Sequence, residues 1–290
     1  MEPVIYKTDY LNLIKAKTSD KFIFKIANDL FEKGYSIFKF PEIDFENIAN
    51  NIKKDLSNNF DFDLWKQYGW PNNSGLRIQD GWVKNSNIKK IASNEKIIEI
   101  LSICFGKKAF PFQTLNFPVG TQQPKHMDTF HFSSIPKNFM CGLWVALEDI
   151  NNDAGPLELY EKSHRLSFNI SEEIKQKPDL TFEEKEEIYQ KIWNNEIEKN
   201  NLKRKIFIAK KGECVIWLAN LLHGGSKQNN PNLTRWSQVT HYYFKDCKYI
   251  VPAQTKHNKE IFYKENVYDI STGKKVSYSF ISKLKNLTNL

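Results

Sequence analysis

The chain has 290 residues, 40% of them apolar and 14% aromatic, enough to bury a sizeable core. No apolar run approaches the length of a membrane span, and Met1 to Tyr10 lacks a basic start followed by an apolar stretch, so a cytoplasmic protein with no membrane partner is expected. The net charge of +8 comes from lysines scattered among glutamates, which argues against nucleic acid as a partner, and four widely spaced cysteines without a Cys-Xaa-Xaa-Cys pair read as reduced thiols.

In residues 20–33, Ile23, Ile26, Ala27, Leu30 and Phe31 fall at helical spacing, and Gly34 is placed to end the helix in a left-handed turn. Residues 35–40 read as a strand. Asp44 is placed to cap a second helix with the stripe Phe45, Ile48, Ala49, Ile52 and Leu56. The aromatic, turn-rich run 59–82 gives no clear element, and a further helix is expected over residues 95–105.

Beyond residue 105 the texture changes to short apolar or alternating runs at 110–117, 126–133, 140–147, 157–160, 214–218 and 235–244. Strands separated by Gly, Pro and Asn turns predict an all-β barrel or jelly roll. The interruption at 171–205 contains Thr181 and Glu184, a capping box opening a helix with Ile188, Ile192 and Trp193 inside. Residues 269–274 read as a turn between two short extended segments. A single domain is expected over 1–290. It comprises a mainly helical N-terminal region (residues 1–105) packed on the core, a core at 106–245 carrying the insert 171–205, and an extension 246–290. The insert and the run Arg77 to Trp82 are expected as lid and wall of a substrate site.

His126 and Asp128 are two residues apart. On a strand such residues share a face with Cα atoms roughly 6–7 Å apart, so both can reach one ion. His223 follows the apolar run 214–218 and precedes Gly224-Gly225-Ser226, where the backbone can turn closely beside a ligand. Two histidines and a carboxylate would leave three positions open on an octahedral iron. The plain alternative is that each histidine makes an ordinary hydrogen bond. Arg235 at a strand start, with Ser237 on the same face, suits a buried carboxylate, because a guanidinium gives two parallel charge-assisted bonds. Taken alone, Arg235 reads more readily as a surface residue at a strand start. Gln113, Asn116, Thr129 and His131 are candidate contacts to cosubstrate or substrate, whereas Trp236 and Tyr242 alternate away from Arg235.

The stretch from Gln113 through Asp128, then Gly142-Leu143-Trp144, Gly155-Pro156-Leu157, Ser163-His164 and His223 to Arg235, resembles the phytanoyl-CoA dioxygenase-like family of iron(II) and 2-oxoglutarate-dependent oxygenases. The resemblance covers most of the chain, with its sharpest motifs between residues 110 and 245. It implies a double-stranded β-helix core, jelly-roll and cupin-like, flanked by N-terminal helices and a helical insert. It further implies iron(II) on His126, Asp128 and His223, the distal carboxylate of 2-oxoglutarate on Arg235, and Trp144 lining the cosubstrate pocket; Ser237, Gln113 and Thr129, read from their positions in the chain, are further candidate cosubstrate contacts. O2 would be the second cosubstrate. The expected reaction is hydroxylation of an unactivated C–H bond in a small metabolite, with release of succinate and CO2. Two positions depart from the family pattern. Glu161-Lys162-Ser163-His164 lacks the usual glycine, and Gly225 displaces Ser226 by one residue from the common His-Gly-Ser.

The basic net charge mildly favours an anionic substrate. Desaturation, ring formation and epimerisation stay open as outcomes of the same chemistry. Two other classes also remain: a cupin-like metal-dependent isomerase or epimerase needing no oxygen, and a noncatalytic binding module on the same fold. Neither the substrate nor the oligomeric state can be read from the sequence.

Overall fold

The computed structural model describes residues 2–63, 77–166, 180–254 and 267–276. Within them the helices, in chain order, are α1 (Tyr10–Lys15), α2 (Lys21–Lys33), α3 (Phe45–Ser57), α4 (Ser86–Ala92), α5 (Glu95–Phe105) and α6 (Phe182–Lys199). The strands are β1 (Tyr35–Lys39), β2 (Ile78–Gln79), β3 (Ala109–Phe117), β4 (Ser133–Ile135), β5 (Met140–Ala146), β6 (Leu157–Tyr160), β7 (Arg204–Phe207), β8 (Glu213–Leu218), β9 (His223–Gly225), β10 (Ser237–Phe244), β11 (Lys248–Ile250), β12 (Tyr268–Asp269) and β13 (Lys274–Lys275).

Two antiparallel sheets form the core. The larger has the order β1-β8-β5-β10-β3-β2, and the smaller β7-β6-β9. Alternation along the strands divides the apolar side chains between two faces. On the inner face, Leu115, Phe117, Trp144, Val215 and Val239 of the larger sheet meet Leu157, Leu159 and Phe207 of the smaller one. On the outer face, Cys141, Leu143, Val145, Ile216, Tyr242 and Phe244 join Ile26, Leu30, Ile48, Ile52, Ile97 and Leu101 from α2, α3 and α5. Burying each large apolar side chain contributes about 1.5–3 kcal/mol, so the helices are fixed to the sheet by their stripes. This is the jelly-roll core with flanking helices that the sequence predicts.

The helix ends follow their predicted chemistry in most places. Asp20 accepts the Phe22 N–H, and Gly34 takes φ 87°, its N–H donating to the Leu30 carbonyl. The Leu218 N–H donates to the Gly34 carbonyl, docking the end of α2 on β8. Thr181 and Glu184 form the complete capping box of α6. Asp44 stands at the start of α3, but its carboxylate accepts the Asn47 side-chain amide and no backbone N–H. The turn at 269–274 joins β12 to β13, with Gly273 at φ 69°.

Several segments differ from expectation. Residues 126–133 are not one strand: His126 makes a single bridge to His223, Asp128–Phe130 is a 3-10 turn, and only Ser133–Ile135 is extended. The strand expected at 35–40 forms as β1, but β2 is unexpected, and together they supply both edges of the larger sheet. In the unassigned run 59–82, β2 and the 3-10 turn Gly81–Val83 emerge, while 64–76 lie outside the described residues. Of the insert, 171–179 also lie outside them, and Arg204 and Lys205 already belong to β7.

Helix α6 covers the outer face of the smaller sheet, where Trp193 packs with Met127, Phe130, Tyr160 and Leu222. All four cysteines are free and buried, and burial pushes the thiols of Cys104 and Cys247 up to about 12. No helix among the described residues is long and apolar enough to cross a membrane.

Candidate metal centre and its pocket

The bridge between His126 and His223 brings the first pair of donors together. The His126 N–H donates to the His223 carbonyl at 2.8 Å and the reverse bond is 3.0 Å, placing the two rings 4.4 Å apart. Asp128 arrives by a bend, since the chain leaves the bridge and turns into the 3-10 helix. Its Oδ1 lies 3.8 Å from His126 Nε2 and 3.6 Å from His223 Nε2. One donor atom from each of the three lies within 4.8 Å of the others, and all three residues are buried. Two-residue spacing therefore brings His126 and Asp128 together through a turn, not through the pleat of a strand.

Both imidazoles are oriented for ligation. His126 Nδ1 lies 2.9 Å from the Pro124 carbonyl, and His223 Nδ1 lies 3.0 Å from the Leu221 carbonyl. A carbonyl only accepts, so each Nδ1 carries a proton and each Nε2 is the nitrogen turned toward Asp128. Burial, and then the neighbouring His223, push the pKa of His126 down to about 3, so that ring is neutral. Burial alone would raise the Asp128 carboxyl. The imidazoles of His223, His241 and His126 and the Trp217 N–H outweigh it and hold the group below its ordinary value. Two imidazoles and an ionised carboxylate are the donor set that a divalent first-row metal requires.

Asp128 has a second anchor, which its sequence neighbourhood does not reveal. Trp217 Nε1 on β8 donates to Asp128 Oδ2 at 2.7 Å, and the indole lies 4.7 Å from the His223 ring. Gly142 on β5 leaves room for it, since a Cβ there would collide with the Trp217 ring. Trp217→Phe keeps the packing and removes the donor. Metal affinity should fall about 10–100-fold, as for other partners of ligating side chains, and titration with Co(II) measures it. An unchanged Kd would show that Trp217 only packs.

A cavity of about 350 Å³ opens between the two sheets, lined by the three donors and also by Gln113, Trp144, Arg235, Val239 and His241. Arg235 does not start the strand as expected. It precedes β10 by two residues and is held by its N–H to the Pro118 carbonyl. Its side chain is 2% exposed, donates from Nη1 to the Gly155 carbonyl at 3.0 Å, and lies 5.9 Å from the Trp144 ring. Burial lowers its pKa to about 10. Among the described residues no carboxylate pairs with this guanidinium. Arg235 Nε, Ser237 Oγ and Trp144 Nε1 are all buried without a hydrogen-bond partner. A buried cation with its own Nε unsatisfied, near two further unsatisfied polar groups, fits an anionic cosubstrate end.

The other predicted contacts divide. Gln113 lines the cavity, and its Oε1 lies 2.8 Å from Nδ1 of His241. His241 Nε2 lies 3.9 Å from Asp128 Oδ2, and burial draws the ring down to about 4. His131 also lines the cavity. Asn116 faces the opposite side of β3, where its amide donates to Gln238. Thr129 is not in the lining. The 3-10 turn carries it away from the pocket, and its N–H donates to the Ala219 carbonyl. Ser237 shares the face of Val239 and His241 but is not in the lining either. Ser226 lines a separate surface cavity with Pro156 and Arg204.

The missing glycine at Lys162 has a structural answer. Lys162 itself adopts the left-handed conformation, φ 68°, so the turn keeps its shape without glycine. The following Ser163 hydroxyl accepts the Leu222 N–H at 2.8 Å, steadying the residue before His223.

The inner cavity shares Arg77, Phe117, Thr121, Gln123, His131 and Phe182 with an outer cavity of about 750 Å³. The outer cavity is bounded on one side by α6, through Glu183, Glu186, Glu187 and Gln190. In the run expected to form the substrate wall, Arg77 and Gln79 line the inner cavity, while Trp82 faces a third one.

A family model described as phytanoyl-CoA dioxygenase (PhyH) matches residues 68–235. No match to a curated protein was found. Among solved structures, the chain is similar to the epimerase SnoN in complex with Fe3+, alpha ketoglutarate and nogalamycin RO. The TM-score is 0.57 at 16% identity, over 83% of this chain and 90% of that one. It is likewise similar to EctD from S. alaskensis with 2-oxoglutarate and 5-hydroxyectoine, with a TM-score of 0.57 at 14% identity over 90% and 88% of the two chains. The carbocyclase SnoK from nogalamycin biosynthesis has a TM-score of 0.58 at 12% identity over 91% and 95%. At such identities the likeness is one of fold.

Proposed function

The chain belongs to the phytanoyl-CoA dioxygenase family, and on that footing we propose that it is an iron(II)- and 2-oxoglutarate-dependent dioxygenase. It hydroxylates an unactivated C–H bond of a small metabolite and releases succinate and CO2. The observation that carries this reading is the buried Arg235, without a carboxylate partner among the described residues, in the same cavity as the His126, Asp128 and His223 donors. Iron bound there with 2-oxoglutarate and O2 supplies an oxidant able to break a C–H bond.

The chain's own residues divide the work. His126, Asp128 and His223 would hold the metal. Arg235 pairs with the far carboxylate of 2-oxoglutarate, with Trp144 as a neighbouring donor and Gln113 elsewhere in the same lining. Leu115, Phe117, Phe132 and Val239 line the cavity with apolar surface that keeps water from the reacting atoms. Arg77, in the lining of both cavities, is the cation an anionic substrate would meet. The glutamates of α6 line the outer cavity instead, so net charge alone does not set the substrate's sign.

Anaerobic addition of iron(II) and 2-oxoglutarate should produce a metal-to-ligand charge-transfer band, and a panel of metabolites should then be screened by succinate release. No band would favour a metal-dependent isomerase without oxygen, or a binding module. A second reading concerns the outcome of the reaction. SnoN is described as an epimerase and SnoK as a carbocyclase, so stereoinversion and ring closure are outcomes of the same fold. Product analysis separates them from hydroxylation.

A further inference from the structure

The segment carrying two of the three donors is gripped from outside by α6. Gln190 Nε2 donates to the Lys125 carbonyl at 2.7 Å. The adjacent Pro124 carbonyl is the one that accepts the His126 Nδ1 proton. On its inner side the same loop is fixed to β9, where the Gly225 N–H donates to the Gln123 carbonyl at 3.0 Å. Met127, between the two donors, and Phe130, just past them, pack with Trp193, and the Phe130 ring lies 4.5 Å from that of Tyr189. Residues 123–130 are thus held between the smaller sheet and one helix, by a hydrogen bond at one end and apolar contacts at the other.

We infer that Gln190 is a positioning residue for the metal centre, coupling the order of helix α6 to metal binding through the Lys125 and Pro124 carbonyls. The inference rests on the reading of His126, Asp128 and His223 as metal ligands. Two features point to coupling and not to mere attachment. Gln190 meets the peptide next to the one that sets the His126 tautomer, so its loss frees the Lys125 carbonyl and loosens the adjoining Pro124 peptide, whose carbonyl keeps Nε2 aimed at Asp128. Gln190 also lines the outer cavity, together with Phe182, His131 and Gln123, which line the inner one as well, so the contact lies on the wall joining the two spaces. Linkage makes the effect reciprocal: what steadies the donors steadies the helix, and the reverse.

The test uses the full chain and Co(II) as the probe, with two measurements. In calorimetric titration, Gln190→Met, which keeps length and removes the N–H donor, should bind Co(II) about 3- to 10-fold more weakly, below the about 10–100-fold of a direct ligand partner. Asn194→Leu, one turn along α6, should bind as wild type. In hydrogen exchange on the wild-type chain, Co(II) should slow exchange across α6, and Gln190→Met should lose that protection. Gln190→Arg, which restores a donor, should recover both. An unchanged Kd for Gln190→Met overturns the inference, and so does α6 exchange indifferent to Co(II), a result that needs no variant to fold. If wild type binds no Co(II), or Asp128→Ala binds it equally well, the ligand assignment fails and the coupling falls with it.

Discussion

Asp128→Ala should bind iron(II) at least about 100-fold more weakly than wild type and release no succinate. The two imidazoles would remain, each fixed by its carbonyl. A variant with only those two would lose the one anion in the donor set. Changes to partners one step removed from a metal typically cost about 10–100-fold in affinity, and losing a ligand should exceed that. The protein should still fold, because Asp128 is held by one Trp217 hydrogen bond and contributes no apolar area to the core. Anaerobic titration with iron(II) and a succinate assay measure the two effects. Wild-type turnover in this variant would sink the assignment.

Arg235→Met should separate stability from function. Without ligand, the variant should melt no lower than wild type, because the buried guanidinium lacks a carboxylate partner among the described residues, and replacing buried charge by a packed apolar group is often neutral or stabilising by about 1–4 kcal/mol. With 2-oxoglutarate the order should reverse. Removing one member of a buried, hydrogen-bonded charge pair costs about 2–5 kcal/mol, which corresponds to a KM for 2-oxoglutarate raised about 30-fold or more. Arg235→Lys should recover only a fraction of this, since ammonium lacks the planar fork. Co(II) affinity should not change, as no ligand has been touched. The decisive measurements are Tm with and without 2-oxoglutarate, and KM. A variant whose KM matches wild type would place the cosubstrate carboxylate elsewhere.

How much of the fold and the site is legible in the sequence depends on whether the informative contact is local. The helix of residues 20–33 follows from spacing and a terminal glycine, and both it and the helix expected at 95–105 form where expected. Asp128 and His223 stand out by residue type and by the strands around them. The run 126–133 misleads because His126, Asp128 and Phe130 alternate like a pleat, whereas the pairing of His126 with His223, distant in sequence, decides its shape. Trp217 and Gly142 read as core residues of two strands. Their role depends on the register Gly142↔Trp217 across β5 and β8, which no spacing along the chain reveals. His241 likewise becomes a neighbour of Asp128 only once β10 lies beside β3. Short helices such as α1 and α4 escape notice because six or seven residues carry too little periodicity.

The backbone bridge between His126 and His223 bears on which ion is taken up. Two mutual hydrogen bonds set the spacing of the imidazoles before any metal arrives, so that spacing cannot adjust to one ion's radius and reject another's. Nitrogen and carboxylate donors at fixed separation rank divalent ions by the general affinity series, in which copper and nickel stand above iron. Discrimination in favour of iron must then come from the supply of ions where the chain is loaded, and a preparation exposed to nickel or copper would carry the wrong metal in an intact fold.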